Sequence, residues 1–151
     1  MPDHDAELTA LYQPRIREFS ARVRFDRRLD APVSTVTCRS PVCGSTLTLD
    51  LFIRHDTVVG LGWKMRACTL GMASLGILSN AGIGQTKDQI ADASRKLSSL
   101  LRGEEVEFPS VWSDLSIFVA ARGFPTRFAS IDLPFQAVAQ VFAERCTSGP
   151  T

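Results

Sequence analysis

The sequence predicts an α+β fold, in which a three-stranded antiparallel sheet packs against several helices. Two segments, residues 45–53 and residues 59–65, alternate between apolar and polar side chains. This period of two is typical of strands with one buried face. The polar run Arg54-His55-Asp56 separates them and predicts a hairpin tip. Val33 to Thr37 supplies a third strand, and longer segments with helical spacing follow the hairpin.

The hairpin has a predictable face and register. Four apolar residues in each strand share a face: Leu47, Leu49, Leu51 and Ile53 in the first, and Val59, Leu61, Trp63 and Met65 in the second. If these faces coincide, Leu49 lies opposite Leu61 or Trp63. The same register brings Cys43 to within about one position of Cys68, where facing residues are ~5 Å apart. Two thiols at this spacing can share a metal, a cluster or a disulfide.

Helices are predicted along the rest of the chain. Thr69 to Leu78 is apolar, rich in small residues and about the length of a helix. Thr86-Lys87-Asp88-Gln89 has the form of a capping box, and Gly103 ends the helix that follows it. A further helix is predicted over Trp112 to Ala121, and Pro134 suits the first turn of a last helix. Their inward stripes are Ile90, Ala93, Leu97, Leu100 and Leu101, then Leu115 and Phe118, then Phe135, Val138, Val141 and Phe142.

The two hairpin cysteines occupy positions that favour reactive thiols. Cys68 directly precedes a predicted helix, where unpaired backbone N–H groups and the positive end of the helix dipole favour a thiolate. Cys43 lies in the turn Pro41-Val42-Cys43-Gly44, where Gly44 can adopt a backbone angle that other residues avoid. Cys146, close to the C-terminus, has no predicted role.

Composition narrows the class of protein. At 151 residues with 44% hydrophobic content, one domain with a real core is expected. A formal net charge of +1 gives no sign of a strongly acidic or basic partner surface. The arginines between residues 15 and 28 could contact nucleic acid or an acidic partner, but no aromatic stacking motif or known nucleic-acid module surrounds them, so a solvated face is expected and nucleic acid is not. No membrane partner is expected either. Four cysteines, no apolar leader and no bilayer-length apolar run predict a cytoplasmic protein with reduced thiols.

The cysteine motifs resemble a known family. Two motifs separated by a strand pair resemble the iron–sulfur cluster scaffold family called NifU N-terminal, IscU or SufU. They are Pro41-Val42-Cys43-Gly44-Ser45 and Ala67-Cys68-Thr69-Leu70-Gly71-Met72-Ala73-Ser74. Residues 97–104 resemble the end of the family's long helix. Asp114-Leu115 through Gly123-Phe124-Pro125-Thr126-Arg127 resembles the segment that distinguishes the SufU branch. The resemblance covers residues 8–142, so residues 1–151 are expected to form a single NifU-like N-terminal domain.

Two positions depart from the family's pattern. Ser45 stands where the family usually has an aspartate, and Ser130 aligns with a third cysteine just before the last helix. A serine hydroxyl is a poor ligand for iron or zinc at neutral pH. Cys38, at the predicted turn after the first strand, could supply a substitute thiol, although a lone cysteine is more often a small apolar filler. The expected metal ligands are therefore Cys43, Cys68 and Cys38.

The resemblance implies a scaffold or carrier rather than an enzyme. Cys43 and Cys68 would hold iron or a labile [2Fe–2S] cluster. One alternative is a SufU-like, zinc-dependent sulfur-transfer partner of a cysteine desulfurase, in which a thiolate accepts persulfide sulfur. Another is a degenerate member that acts only as a binding partner. The expected partners are a cysteine desulfurase and acceptor apo-proteins, and a homodimer is left open.

Overall fold

The computed structural model describes residues 2–30, 33–42 and 44–147, and the side chains of residues 12–145 within those ranges. The helices are α1 (Pro2–Ala21), α2 (Thr69–Ala81), α3 (Lys87–Leu101) and α4 (Phe128–Thr147), with 3₁₀ helices at Ser110–Ala121 and Pro125–Arg127. The strands are β1 (Ser34–Arg39), β2 (Thr46–Arg54) and β3 (Thr57–Arg66). They form one antiparallel sheet in the order β1-β2-β3, which confirms the predicted α+β fold.

The β2–β3 hairpin has the predicted register over most of its length. Leu49 pairs with Trp63, one of its two predicted partners. The register shifts between Phe52 and Ile53, because β3 carries one extra residue there. A bulge of this kind reverses the alternation beyond it. Val58 is therefore fully buried and Val59 is 42% exposed, so the prediction that Val59 shares the core face is wrong.

The long helix α3 is confirmed in detail. Thr86 caps it with a complete capping box: Thr86 Oγ1 accepts a hydrogen bond from the Gln89 N–H at 3.2 Å, and Gln89 Oε1 accepts one from the Thr86 N–H at 2.8 Å. The five residues predicted to face inward are those that are buried in this helix. Gly103 follows its C-terminus with a φ of +97°, a conformation that favours glycine.

The C-terminal part differs from the prediction in two ways. Residues Ser110–Ala121 form a 3₁₀ helix rather than an α-helix, although Leu115 and Phe118 are buried as predicted. Helix α4 begins at Phe128, well before Pro134, which lies inside the helix and not in its first turn. Proline has no N–H for the carbonyl four residues earlier, which here belongs to Ser130. Because α4 begins at Phe128, Ser130 lies in its first turn and not before it.

A buried carboxylate fastens the segment after α1 to the outer face of the sheet. The Asp50 side chain is 1% exposed. It accepts hydrogen bonds from Arg28 Nε at 2.7 Å and Nη2 at 3.0 Å, from the Leu29 N–H at 3.0 Å and from Thr35 Oγ1 at 2.7 Å. Gly62, opposite Asp50, leaves room for this segment, since a Cβ there would lie 2.6 Å from the Arg27 carbonyl oxygen. The sequence did not predict this contact.

Asp50 should make the protein less stable in acid. Burial alone raises the pKa of this carboxyl, but hydrogen bonds from Arg28, Thr35 and the Leu29 N–H outweigh burial and hold the pKa below its usual range. The stabilisation is therefore complete above the unfolded-state pKa, near pH 4, and is lost as the pH falls through the lower folded-state value. We expect Asp50→Asn to lower the free energy of unfolding by ~1–3 kcal/mol at pH 7.

Urea unfolding at pH 7 and pH 3 checks this prediction. The difference between the wild type and Asp50→Asn should shrink at the lower pH, because the carboxyl is then largely protonated in the unfolded state and part of the stabilisation is lost. Asp92→Asn is the matched control, because Asp92 forms only exposed ion pairs with Arg95 and Lys96 on the surface of α3. A control variant that loses as much stability as Asp50→Asn would contradict the role given to the buried network.

Candidate functional site

Cys68 lies at the N-cap of α2, as predicted. Ala67 and Cys68 alone join β3 to this helix. The Cys68 backbone is extended, with φ −68° and ψ 168°, and its carbonyl accepts a hydrogen bond from the Met72 N–H at 3.0 Å. Its side chain makes no capping hydrogen bond and is half-buried. The thiol is thus free of a capping role and stands beside the unpaired N–H groups of the helix.

The turn before β2 has the predicted left-handed glycine. Gly44 has a φ of +71°, and its N–H donates to the Ser40 carbonyl at 2.9 Å. The Ser40 N–H donates to the Ser45 carbonyl at 2.8 Å, which closes the turn. Cys43 itself lies outside the described residues. Its predicted pairing with Cys68 therefore stays a prediction.

Three side chains from separate elements meet at this end of the sheet. Ser45 precedes β2, Cys68 precedes α2, and Ser130 lies in the first turn of α4. Ser45 Oγ and Ser130 Oγ are 3.0 Å apart, and Cys68 Sγ donates to Ser130 Oγ at 3.7 Å. Ser45 is 3% exposed and Ser130 is fully buried. The two positions that depart from the family's pattern are therefore next to each other, and Ser130 is next to Cys68.

Small residues on α2 hold Ser130 in place. A Cβ at Gly71 would overlap Ser130 Oγ and would lie 3.1 Å from the Ser130 carbonyl oxygen. Ser74, one turn further along α2, is fully buried, and its Oγ donates to the Ile131 carbonyl at 2.6 Å. Gly71 and Ser74 are three residues apart and so lie on one face of the helix. This face lets the first turn of α4 approach closely enough for Ser130 to reach Cys68.

Cys38 lies apart from these residues. The prediction that the first strand ends at Thr37 is wrong: Arg39 still pairs with Thr46, so Cys38 lies within β1 opposite Leu47 and not in the turn. Cys38 Sγ donates to Gln140 Oε1 at 3.0 Å. Gln140 is ~15 Å along α4 from Ser130 at 1.5 Å per residue. Burial, with the charge of Glu144, raises the pKa of the Cys38 thiol. Its role as a ligand stays a prediction.

A groove is lined by residues that are close to Cys68 in the chain. It has a volume of about 470 Å³ and includes Ala67, which precedes Cys68, and Met72, which lies one turn after it. Phe25, 78% exposed, and Arg66 also line it. Arg127, the last residue of a short 3₁₀ helix, is exposed shortly before Ser130.

The donors at the described part of the site do not fit a resident zinc ion. Zinc in proteins is normally held by cysteine, histidine or carboxylate ligands. Here the described donors are one thiol and two hydroxyls that bond to each other. Within residues 2–30, 33–42 and 44–147, no group of three histidine, cysteine or acidic residues could hold a metal ion.

Comparisons with known proteins support the family that the cysteine motifs resemble. The solved structure of the N-terminal part of a NifU-like protein from Brucella abortus matches with a TM-score of 0.82 and 29% identity, over 90% of this chain and 94% of that one. The iron–sulfur cluster assembly scaffold protein IscU of Streptococcus pyogenes serotype M1 is 23% identical over 133 residues, 88% of this chain and 83% of the relative. These similarities support a NifU/IscU/SufU-like family for this chain.

A second curated relative belongs to the branch that the sequence singled out. The zinc-dependent sulfurtransferase SufU of Bacillus subtilis strain 168 is 22% identical over 134 residues, 89% of this chain and 90% of the relative. The two relatives confirm the resemblance drawn from the two cysteine motifs. No family model matches the chain. No helix of this NifU/IscU/SufU-like protein, among the described residues, is long and apolar enough to cross a membrane.

Sequence reasoning did not connect Gly71 or Ser74 with Ser130. Gly71 and Ser74 stand in the motif that follows Cys68, and their three-residue spacing was the available signal for a shared face. Gln140 gave no signal, because a glutamine in an amphipathic helix usually faces solvent.

Proposed function

We propose that this protein is an iron–sulfur cluster assembly scaffold or carrier, formed by residues 1–151 as one NifU-like domain. It receives iron and sulfur, or a labile [2Fe–2S] cluster, on cysteine thiolates and passes it to acceptor apo-proteins. The observation that carries this proposal is the convergence of Ser45, Cys68 and Ser130. These residues come from three separate parts of the chain, and each occupies a position that the family's motifs mark. IscU and the NifU-like protein are relatives over nearly the whole chain.

The cluster is the cargo of this site, and we assign its protein ligands to Cys43 and Cys68. Thiolates are the usual ligands of iron–sulfur clusters. The remaining ligands would come from Cys38, a second subunit or a small thiol. A protein that supplies few strong ligands holds its cargo weakly, which suits transfer to an acceptor.

A cysteine desulfurase is the proposed source of sulfur. Its persulfide has to reach the site from outside, and a groove lined by Phe25, Arg66 and Met72 includes Ala67, the residue before Cys68. Exposed phenylalanine and arginine side chains are typical of protein interfaces. The second candidate function is sulfur transfer as the partner of a cysteine desulfurase, without the zinc dependence named for the Bacillus subtilis SufU. It is favoured by the half-buried thiol of Cys68 at a helix N-terminus, which needs no resident metal to accept sulfur.

Anaerobic reconstitution with iron and sulfide tests the proposal. The wild type should develop the visible absorption of a [2Fe–2S] cluster, with stoichiometric iron and sulfide. Cys68→Ala and Cys43→Ala should each lose it, because a cluster left with one protein thiolate is not retained. Cys146→Ala is the matched control and should reconstitute like the wild type. Cluster formation in Cys68→Ala at the wild-type level would contradict the proposal.

Cys38→Ala separates a ligand from a packing residue in the same experiment. If Cys38 is a ligand, its loss should match that of Cys68→Ala. Its raised pKa and its hydrogen bond to Gln140 favour packing, so we expect reconstitution to survive.

Alkylation of the metal-free folded protein should be slower at Cys38 than at Cys68, because burial and Glu144 keep the Cys38 thiol protonated. Loading with iron and sulfide should protect Cys68.

A further inference from the structure

A short chain of hydroxyl groups ends at the Cys68 sulfur. Ser45 Oγ lies 3.0 Å from Ser130 Oγ, and Ser130 Oγ lies 3.7 Å from Cys68 Sγ. Ser130 is fully buried, and Gly71 and Ser74 fix the helical turn that carries it. A hydroxyl both donates and accepts a hydrogen bond. The direction of this chain can therefore reverse without any movement of the backbone.

The reversal suits a site that carries sulfur. With a thiol, the Cys68 S–H donates to Ser130. An anionic sulfur can only accept, so Ser130 O–H then donates to it and accepts from Ser45 in turn. The aspartate and cysteine implied by the resemblance at these two positions would be anions beside a metal. Anions there would repel a sulfur anion and attract a cation. Neutral hydroxyls carry no charge that repels a sulfur anion, and an O–H can donate a hydrogen bond to it.

We propose that Ser130 and Ser45 are positioning residues that adapt this site to anionic sulfur rather than to a resident metal cation. The proposal rests on the proposed function, and it concerns the step in which sulfur is loaded. The substrate class is the sulfane sulfur of a protein persulfide. Ser130 acts on Cys68 directly, and Ser45 acts through Ser130. Together they orient the attacking sulfur and then stabilise the sulfur anion that Cys68 carries.

The loading step balances without an oxidant or reductant. The Cys68 thiolate attacks the outer sulfur of a donor persulfide and forms a new S–S bond. The S–S bond of the donor breaks, and its electron pair leaves on the donor's thiolate. The proton of the donor persulfide stays on the transferred sulfur, which Cys68 now carries, until solvent removes it.

Two substitutions of Ser45, by side chains of equal volume that differ in charge, test the proposal most sharply. Cysteine persulfide serves as the sulfur donor, and intact mass measures the rate at which one sulfur atom is added to Cys68. Ser45→Asn keeps a neutral hydrogen-bond donor. Ser45→Asp introduces a negative charge on a side chain of the same size as asparagine. We expect Ser45→Asn to load within ~3-fold of the wild type and Ser45→Asp to load about 10-fold more slowly, the effect of one hydrogen bond to a charged group.

Ser130→Ala should also load about 10-fold more slowly, because it removes the donor that contacts Cys68. Adding Ser45→Ala to that variant should change nothing further, since Ser45 acts through Ser130. Ser79→Ala is the matched control. Ser79 lies near the other end of α2 from Cys68, and its hydroxyl donates to the Gly76 carbonyl. If Ser130→Ala fails to fold, the two Ser45 variants decide alone.

A purely structural role predicts equal loading by Ser45→Asn and Ser45→Asp, and that result would overturn the proposal. Wild-type loading by a folded Ser130→Ala would overturn it as well. Neither result touches the proposed function, which is judged by cluster reconstitution in Cys68→Ala. Conversely, a cluster that forms without Cys68 removes the proposed function, even if the Ser45 variants differ in sulfur loading.

Discussion

Gly76→Ala should lower the free energy of unfolding by ~3 kcal/mol or more. Gly76 lies in the middle of α2, where that helix meets α1. A Cβ at this position would overlap the Phe19 carbonyl oxygen and would lie 2.8 Å from the carbonyl carbon. These are backbone atoms, so no side-chain rotation relieves the overlap and the two helices must separate. Alanine gains up to ~1 kcal/mol in helix propensity over glycine, which is too little to offset that cost.

Urea unfolding measures this effect, and Gly123→Ala is its control. Gly123 has no atom within 4 Å of the position that a Cβ would take, apart from its chain neighbours. Its replacement should change the free energy of unfolding by less than ~0.5 kcal/mol. Equal midpoints for the two variants would show that the α1–α2 contact is looser than the structure has it. Because α2 also carries Cys68, Gly76→Ala should lose cluster reconstitution in step with its loss of folded protein.

The sequence predicted the fold best where a local pattern alone determines the structure. The capping box at Thr86 and the apolar spacing after it define α3 without help from the rest of the chain. Alternation likewise narrowed the partner of Leu49 to Leu61 or Trp63, and the structure pairs it with Trp63. It failed at Val59, because a bulge adds one residue without leaving a mark in an alternating pattern. It failed again at α4, where Pro134 is a good first-turn residue but the helix starts earlier.

The early start of α4 is a tertiary effect, which explains why the pattern missed it. Ser74 donates a hydrogen bond to the Ile131 carbonyl, and Gly71 leaves room for Ser130. Both contacts come from α2, which is far from α4 in the chain. The contact of Asp50 with Arg28 and Leu29 is similar, because an aspartate in a strand does not reveal that a distant loop covers it. Such contacts depend on how elements pack and not on the period of any one of them.

The candidate site was predictable in its residues more than in its geometry. The family's pattern marked Cys68, Ser45 and Ser130, and the structure adds the hydrogen bonds that join them. The placement of Cys38 at the turn was wrong, because it depended on where β1 ends. A strand continues while its partner still offers hydrogen bonds, and Thr46 does so for Arg39. The sequence of β1 alone does not contain that information.

Ser45→Asp combined with Ser130→Cys should convert the site into a strong metal site. Both side chains would point at the place that Ser45, Ser130 and Cys68 now share, so two anionic ligands would join the Cys68 thiolate there. A structural zinc site with four ligands binds with ~10–16 kcal/mol, or about 3 kcal/mol for each ligand. Two added ligands should therefore raise zinc affinity by at least ~100-fold, even if much of that gain is lost to imperfect geometry.

Competition with a chelator measures the zinc affinity, and cobalt reports the ligands. Each thiolate bound to Co²⁺ adds near-ultraviolet charge-transfer absorption, so the double variant should absorb more strongly than the wild type. Ser45→Asn combined with Ser130→Ala is the matched control, because it changes the same two positions without adding an anion, and its affinity should not rise. Unchanged zinc retention in Ser45→Asp/Ser130→Cys, with the fold intact, would mean that these side chains do not face a cation bound at Cys68. The hydroxyl pair would then have replaced no metal ligand, and the weak metal binding expected of the wild type would need another cause.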